Sequence, residues 1–279
     1  MKNSNNEFMS VERISSPSKA VFNKQYGFAS RPVLITGMTD NWNAMTRWTT
    51  EFFESRMGQY EALASRSRDR KDKKQMKVRE YFSYMRNSTD NDPYYLSNCQ
   101  FHLKTDMTAD YTVPDYFISC LQLMEDKLPL QFRLSWMFIG AANTYSALHL
   151  DIFNTSAWNA VITGRKLWLF YPSEQARYLY NGNVNPFSPD LEKYPEFSKA
   201  KPLVCVQHPG EVVFTPSGWW HAVLNEEGGI SITENFINET NYDIVRATLA
   251  HYQKTEEARI VDECMTRYLV EENNASLLI

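Results

Sequence analysis

His149-Leu150-Asp151, joined later in the chain by His221 within Pro216-Ser217-Gly218-Trp219-Trp220-His221, is the residue set with the clearest chemical use. Two imidazoles and one carboxylate can occupy one face of a metal ion and leave the other positions open to substrate and oxygen, which is the ligand set of non-heme Fe(II) oxygenases. The spacing suits that use. In an extended strand residues i and i+2 project to the same side, so His149 and Asp151 can reach one ion. His221 must be delivered by a distant strand. A histidine-x-aspartate triplet is common by chance, so the weight falls on the residues around it.

Those residues read as strands. Ser156 to Pro172 holds two runs of aromatic and β-branched residues around Gly164-Arg165, the pattern of a hairpin. With a two-residue loop, Thr163 faces Lys166 and Asn159 faces Phe170, which puts Asn159, Thr163 and Lys166 on one side. The opposite side, Trp158, Ala160, Ile162, Leu167 and Leu169, is apolar. A sheet packed on one face and lining a cavity on the other fits this split, against the alternative of a lysine on a solvated outer strand. A second alternating run, Ile230 to Phe236, carries Ser231, Thr233 and Asn235 on one side. It is either the partner of His221 in a hairpin or an edge strand with a wet face.

Taken together, His149-x-Asp151, Asn159, Lys166, Gly218-Trp219-Trp220-His221, Thr233 and Asn235 resemble the Jumonji-C (JmjC) 2-oxoglutarate oxygenases. The segments Thr155 to Ala160 and Gly218 to Asn225 are most similar to the branch containing the Jumonji lysyl hydroxylase and reported arginine demethylase once called the phosphatidylserine receptor. Arg31 to Gly37 and Asp92 to Leu96 resemble two earlier strands of that branch, the second donating a cofactor-binding tyrosine, here Tyr95. Ile152 and Ser146 depart from the proline and threonine of many relatives.

The resemblance implies a mainly β fold, a double-stranded β-helix (jelly-roll, cupin-like) core at 131–240, with N-terminal helix and strand elements at 11–130 and helices at 241–279. It implies Fe(II) on His149, Asp151 and His221, and 2-oxoglutarate as cosubstrate. Lys166 would take the far carboxylate, with hydrogen bonds from Tyr95 and from Ser146 or Thr233. Asn159, and less directly Asn235, would serve the carboxylate near the metal. Trp136, Trp219 and Trp220 would wall the cavity or pack. The implied reaction is hydroxylation of a protein side chain, most of all lysine, with N-methyl arginine or lysine demethylation or tRNA-base hydroxylation by the same chemistry as alternatives. A JmjC-fold binding scaffold without turnover is the alternative of another class, and the intact ligand set with Lys166 argues against it.

Composition bounds the rest. The chain has 279 residues, enough for a substantial core, and a net charge of −4 gives no global attraction to nucleic acid. Cys99, Cys120, Cys205 and Cys264 form no C-x-x-C pair, which argues for reduced thiols and an intracellular protein, cytoplasmic or nuclear. No apolar run reaches the ~20 residues of a membrane-spanning helix, and the polar start lacks the apolar stretch of a signal peptide.

Along the chain, residues 1–10 are expected to be flexible. Helices are expected over Thr50–Met57 and Val78–Met85, and strands over Gln131–Gly140, Leu203–Gln207, Glu211–Thr215, His221–Asn225 and Ile230–Phe236. The Asn- and Pro-rich stretch Asn181–Pro202 is expected to loop over or beside the site. Between the first helices lies a run from Arg66 to Lys77 with seven basic side chains against two acidic ones. It reads either as a solvated hairpin tip or as a docking patch for an acidic or RNA partner. Helices are expected over Asn241–Tyr252 and Thr255–Val270. In the latter, Ala258, Val261, Met265, Tyr268 and Leu269 form an apolar stripe that either packs on the core or pairs in a homodimer.

Overall fold

The computed structural model describes residues 9–276. In chain order its strands are β1 (Met9–Ser10), β2 (Glu12–Ser15), β3 (Val33–Thr36), β4 (Glu61–Arg66), β5 (Lys73–Lys77), β6 (Tyr94–Cys99), β7 (Ser135–Gly140), β8 (Tyr145–His149), β9 (Ser156–Tyr171), β10 (Leu203–Gln207), β11 (Val212–Thr215) and β12 (Trp220–Phe236). β9 and β12 are the long ones, 16 and 17 residues. They pair antiparallel from Trp220 opposite Tyr171 to Phe236 opposite Ser156.

The two expected hairpins are therefore corrected. Each pair of expected strands is one strand that bends. Gly164 sits at φ +84, and a Cβ there would meet the carbonyl oxygens of Gly228 and Glu227 at 2.7 and 2.9 Å. Glycine is what lets the two strands approach so closely at the bend. The register slips at the same point, between Asn225 and Glu227 and between Glu227 and Ile230, as a bulge does when it turns a strand. Two β-rich runs around a glycine look alike for a turn and for a bulge, and only pairing with β12 separates them.

The bend lets both strands serve two layers. The first half of β9 pairs with β11, and the second half of β12 pairs with β7, which continues to β6, β4 and β5. The second half of β9 pairs with β10, and the first half of β12 with β8. Residues of both halves line one cavity. This is the double-stranded β-helix core with flanking helices that the resemblance implies.

Packing follows the alternation. Ala160, Ile162, Phe214, Ile232 and Phe236 turn away from the cavity and, with Trp158, are buried against Phe22, Trp42, Phe53 and Phe117 of the N-terminal region. Trp158 is 1% exposed, a site where truncation to alanine costs about 3–5 kcal/mol. The helix Thr50–Met57 starts as expected, with the Thr49 hydroxyl accepting the Phe52 N–H at 3.2 Å. A second helix runs Val78–Asn87. The last two are Tyr242–His251 and Thr255–Ser276. Ala258, Val261, Met265 and Tyr268 pack with Cys120 and Leu121, while Leu269 of the same stripe is exposed.

Two boundaries shift for a visible reason. β7 begins at Ser135, because Pro129 opens a short 3-10 turn over Leu130–Phe132. Met9 and Ser10 are not loose: they lie parallel to Leu203 and Val204, and the Val11 N–H donates to the Val204 carbonyl at 2.9 Å. Residues 1–8 of that expected flexible segment lie outside the described residues. Among the described residues no helix is long and apolar enough to cross a membrane.

Candidate active site

His149 is the last residue of β8 and stands opposite His221 of β12. Asp151 follows in extended backbone, φ −66 and ψ 157, at the start of the short turn Ile152–Asn154. One ligand atom from each of the three lies within 4.8 Å of the others. His221 Nε2 is 4.0 Å from Asp151 Oδ2, and the two imidazole centroids are 4.3 Å apart.

Backbone carbonyls set the ring orientations. His149 Nδ1 is 2.6 Å from the Ala147 oxygen and His221 Nδ1 is 3.1 Å from the Trp219 oxygen. A carbonyl accepts, so each Nδ1 carries the hydrogen and each Nε2 keeps its lone pair, the arrangement that orients metal-binding histidines. Burial and the neighbouring His149 hold the His221 imidazole down to about 4, so it is neutral. Asp151 Oδ2 is buried without a hydrogen-bond partner. An unpaired carboxylate oxygen is costly inside a protein, and a divalent cation among these three groups would satisfy it. The donor set fits Fe(II).

The same cavity, about 530 Å³, reaches inward to Lys166, within the size range of small-molecule sites. Lys166 is 6% exposed, and its Nζ donates to Asn225 Oδ1 at 2.8 Å. Among the described residues it meets no carboxylate, and burial pushes it down to about 7. The Tyr95 hydroxyl is hydrogen-bonded to Asn225 and Ser146, and burial pushes it up to about 12. On the metal side the Asn159 amide donates to the Thr233 hydroxyl, and Asn159 Oδ1 is buried without a partner. The Asn235 amide donates to Thr155 Oγ1 at 2.9 Å. A buried ammonium lacking an anion, with tyrosine, serine and asparagine around it, fits a dicarboxylate such as 2-oxoglutarate.

Every site residue expected from the sequence lines this one cavity: His149, Asp151, His221, Lys166, Asn159, Tyr95, Thr233, Ser146 and Asn235. Trp136 lines it too. Trp219 and Trp220 do not; they take the other of the two expected roles and pack. Trp220 adjoins His221 on a strand and so points to the opposite face, where it packs near Leu148 and Tyr171. The Trp219 indole donates to the Ser30 carbonyl at 2.7 Å. Asn225 was not among the expected site residues. Counting by twos along β12 from His221 reaches it, and it is the residue that joins Lys166 to Tyr95. Trp168, likewise unexpected as a lining residue, follows Lys166 by two.

Asn181–Pro202 lies beside the site and not across it. Phe187 packs against the cavity-lining Tyr145 at 5.9 Å, and the Asn185 amide donates to the Tyr145 hydroxyl at 3.3 Å. The basic run forms the β4–β5 hairpin, and Arg66 and Arg70 reach the cavity rim. Arg66 is held by Asp72 and Asp90 at 2.8 and 3.3 Å.

Comparison with known proteins matches residues 18–243 to the family described as "Cupin-like domain". The bifunctional arginine demethylase and lysyl-hydroxylase psr-1 of Caenorhabditis elegans is 32% identical over 260 residues, covering 85% of this chain and 63% of that protein. The lysine-specific demethylase JMJ21 of Arabidopsis thaliana is 31% identical over 256 residues, 86% of this chain and 26% of that protein. The 2-oxoglutarate and iron-dependent oxygenase JMJD4 of Gallus gallus is 30% identical over 262 residues, 84% and 61% respectively. The matched region is thus less than two thirds of each relative's length. The resemblance to Jumonji-C oxygenases drawn from the motifs is borne out by these relatives.

Proposed function

The chain belongs to the cupin-like domain family, and from that premise we propose that it is an Fe(II)- and 2-oxoglutarate-dependent oxygenase that hydroxylates a protein side chain, lysine before others. The observation that carries the reading is the pairing, in one cavity, of an unsatisfied His149–Asp151–His221 cluster with a buried, anion-free Lys166. A catalytically silent scaffold would have no need to keep both.

His149, Asp151 and His221 would hold Fe(II), and Lys166, Tyr95, Ser146, Asn159, Thr233 and Asn235 would hold 2-oxoglutarate. Iron with 2-oxoglutarate and O2 supplies the oxidation of a C–H bond to C–OH, with release of succinate and CO2. The protein's own part is binding, orientation and exclusion of water. The backbone carbonyls of Ala147 and Trp219 keep both Nε2 lone pairs aimed into the cavity. Lys166 binds one end of the cosubstrate as a cation and Asn225 fixes its ammonium. Trp168, Trp136 and Phe138 exclude water from the walls. The psr-1 name, with both lysyl hydroxylation and arginine demethylation, supports a protein side chain as substrate. All four cysteines are buried and unpaired, which supports a reducing, intracellular compartment.

The test is purified protein with Fe(II), 2-oxoglutarate and a peptide mixture from cell extract. Succinate should form only with metal, and mass spectrometry should find lysyl peptides heavier by one oxygen atom. Metal-independent succinate, or none, would sink the reading.

A further inference from the structure

The catalytic cavity opens into a second concavity. Ser65, Arg70, Ser97 and Asn98 line the first and also line a groove of about 730 Å³ beside it. Strand geometry makes the groove. β4 and β6 pair only at Ser65 with Tyr95 and Arg66 with Tyr94. β6 then slips register between Leu96 and Cys99, with Asn98 at φ 61, and the strands part. β4 stays paired with β5, but along Glu61 to Ala64 no strand pairs with its other edge among the described residues.

The groove has two chemical characters. Leu63 and Leu130 line it and are 52% and 74% exposed. Arg70, Lys73, Lys104 and Arg133 line it as well, all exposed, and none pairs with a carboxylate among the described residues. The acidic side chain facing them, Glu61, is engaged by the Gln75 amide. In a chain of net charge −4, this is a local concentration of unpaired positive charge that leads to the reaction site.

We propose that this groove docks the substrate polypeptide as an extended segment, with acidic side chains on one side of the reacting residue and an aliphatic side chain against Leu63 and Leu130. The proposal rests on the oxygenase reading above. Charge complementarity sets register and suppresses wrong partners, and an extended peptide is the natural occupant of a strand edge with no neighbour. Single-stranded RNA calls instead for exposed aromatic platforms. The groove's most exposed apolar side chains, Leu63 and Leu130, are aliphatic, and its single lining aromatic, Tyr60, is 39% exposed with its ring edge-on to Phe101 at 5.6 Å, so it offers one ring and no row of platforms.

Fluorescence anisotropy tests it with two labelled peptides that share a central lysine and a leucine, one flanked by Asp and Glu, the other by Lys and Arg. The acidic peptide should bind at least roughly tenfold tighter, with the gap narrowing as salt screens it. Lys104→Glu with Arg133→Glu should abolish or reverse the preference, and the Gln pair should give an intermediate value. Equal binding of the two peptides, or tighter binding of oligouridylate than of the acidic peptide, would overturn the groove assignment. Binding of 2-oxoglutarate by the same wild-type protein is measured separately: its absence would strike the oxygenase reading and leave the peptide result standing.

Discussion

His102 and His221 are both buried imidazoles, at 0% and 4% exposure, and burial holds each near 4. They serve opposite faces of the same layer. His102 Nε2 is 2.8 Å from Ser135 Oγ, and Ser135 and Tyr111 donate to Glu234 at 3.1 and 2.6 Å. A hydroxyl has one hydrogen to give, so if Ser135 gives it to Glu234, His102 Nε2 must carry its own. His102 Nδ1 is left buried and unpartnered. Around His221 the hydrogen is on Nδ1 and the free lone pair faces another imidazole and a bare carboxylate oxygen. Burial and a depressed imidazole do not distinguish a ligand from a structural group. What the free lone pair faces does.

The strongest way to break that comparison is Asp151→Ala. It removes the cluster's only carboxylate. Loss of a group that merely orients a ligand costs 10–100-fold in metal affinity, so loss of the ligand should cost at least about a hundredfold and abolish succinate formation. Anaerobic calorimetry with Fe(II), or with Co(II) as surrogate, reads it. His102→Gln should leave metal affinity where it was. If Asp151→Ala binds metal as wild type does, the contrast between the two histidines is wrong.

Lys166 sharpens the contrast from the cosubstrate side. Removing one partner of a buried charge pair costs about 3–5 kcal/mol, so Lys166→Ala should weaken 2-oxoglutarate by roughly a hundredfold or more while metal affinity changes little. The ammonium stands at about 7 before an anion arrives and must be protonated to pair with one. Binding above pH 7 therefore takes up a proton, and affinity should fall by up to about tenfold per pH unit. Calorimetry in buffers of different ionisation heat detects the uptake. An affinity flat with pH, or equal in wild type and Lys166→Ala, would mean that Lys166 does not meet the ligand.

Much of this site was legible because its signals are local. The His-x-Asp spacing needs only extended backbone, and β8 followed by Asp151 supplies it. β10 was read at its observed ends, since a short continuous apolar run bounded by Pro202 and Pro209 leaves little choice. The hairpin at Gly164 was not legible, because a turn and a bulge present the same residues. Yet Asn159 and Lys166 do share the cavity face. They are seven positions apart, which in an unbroken strand would put them on opposite sides. The bulge supplies the same one-residue change of phase as the two-residue turn, so the facing was right although the topology was not. The His102–Ser135–Glu234 network joins residues far apart in sequence, and nothing in their spacing announces it.

That network carries the smallest of the expected effects, and one that acts on stability alone. The His102 imidazole stands near 4 in the fold against an ordinary 6.5. With the folded value below the unfolded one, the unfolded chain takes the proton first as pH falls. The stabilising contribution is complete above pH 6.5 and is lost progressively toward pH 4. Each unit is 1.36 kcal/mol, so about 2 kcal/mol should disappear between pH 6.5 and about 5. Other groups titrate in the same window, so the informative quantity is the difference between wild type and His102→Gln in urea unfolding at about pH 7.5 and about pH 5. His102→Gln should start less stable, because it gives up the bond to Ser135, and should lose less on acidification. If wild type and variant fall in parallel, His102 is not held neutral by the fold. Its likeness to His221 would then reach no further than burial.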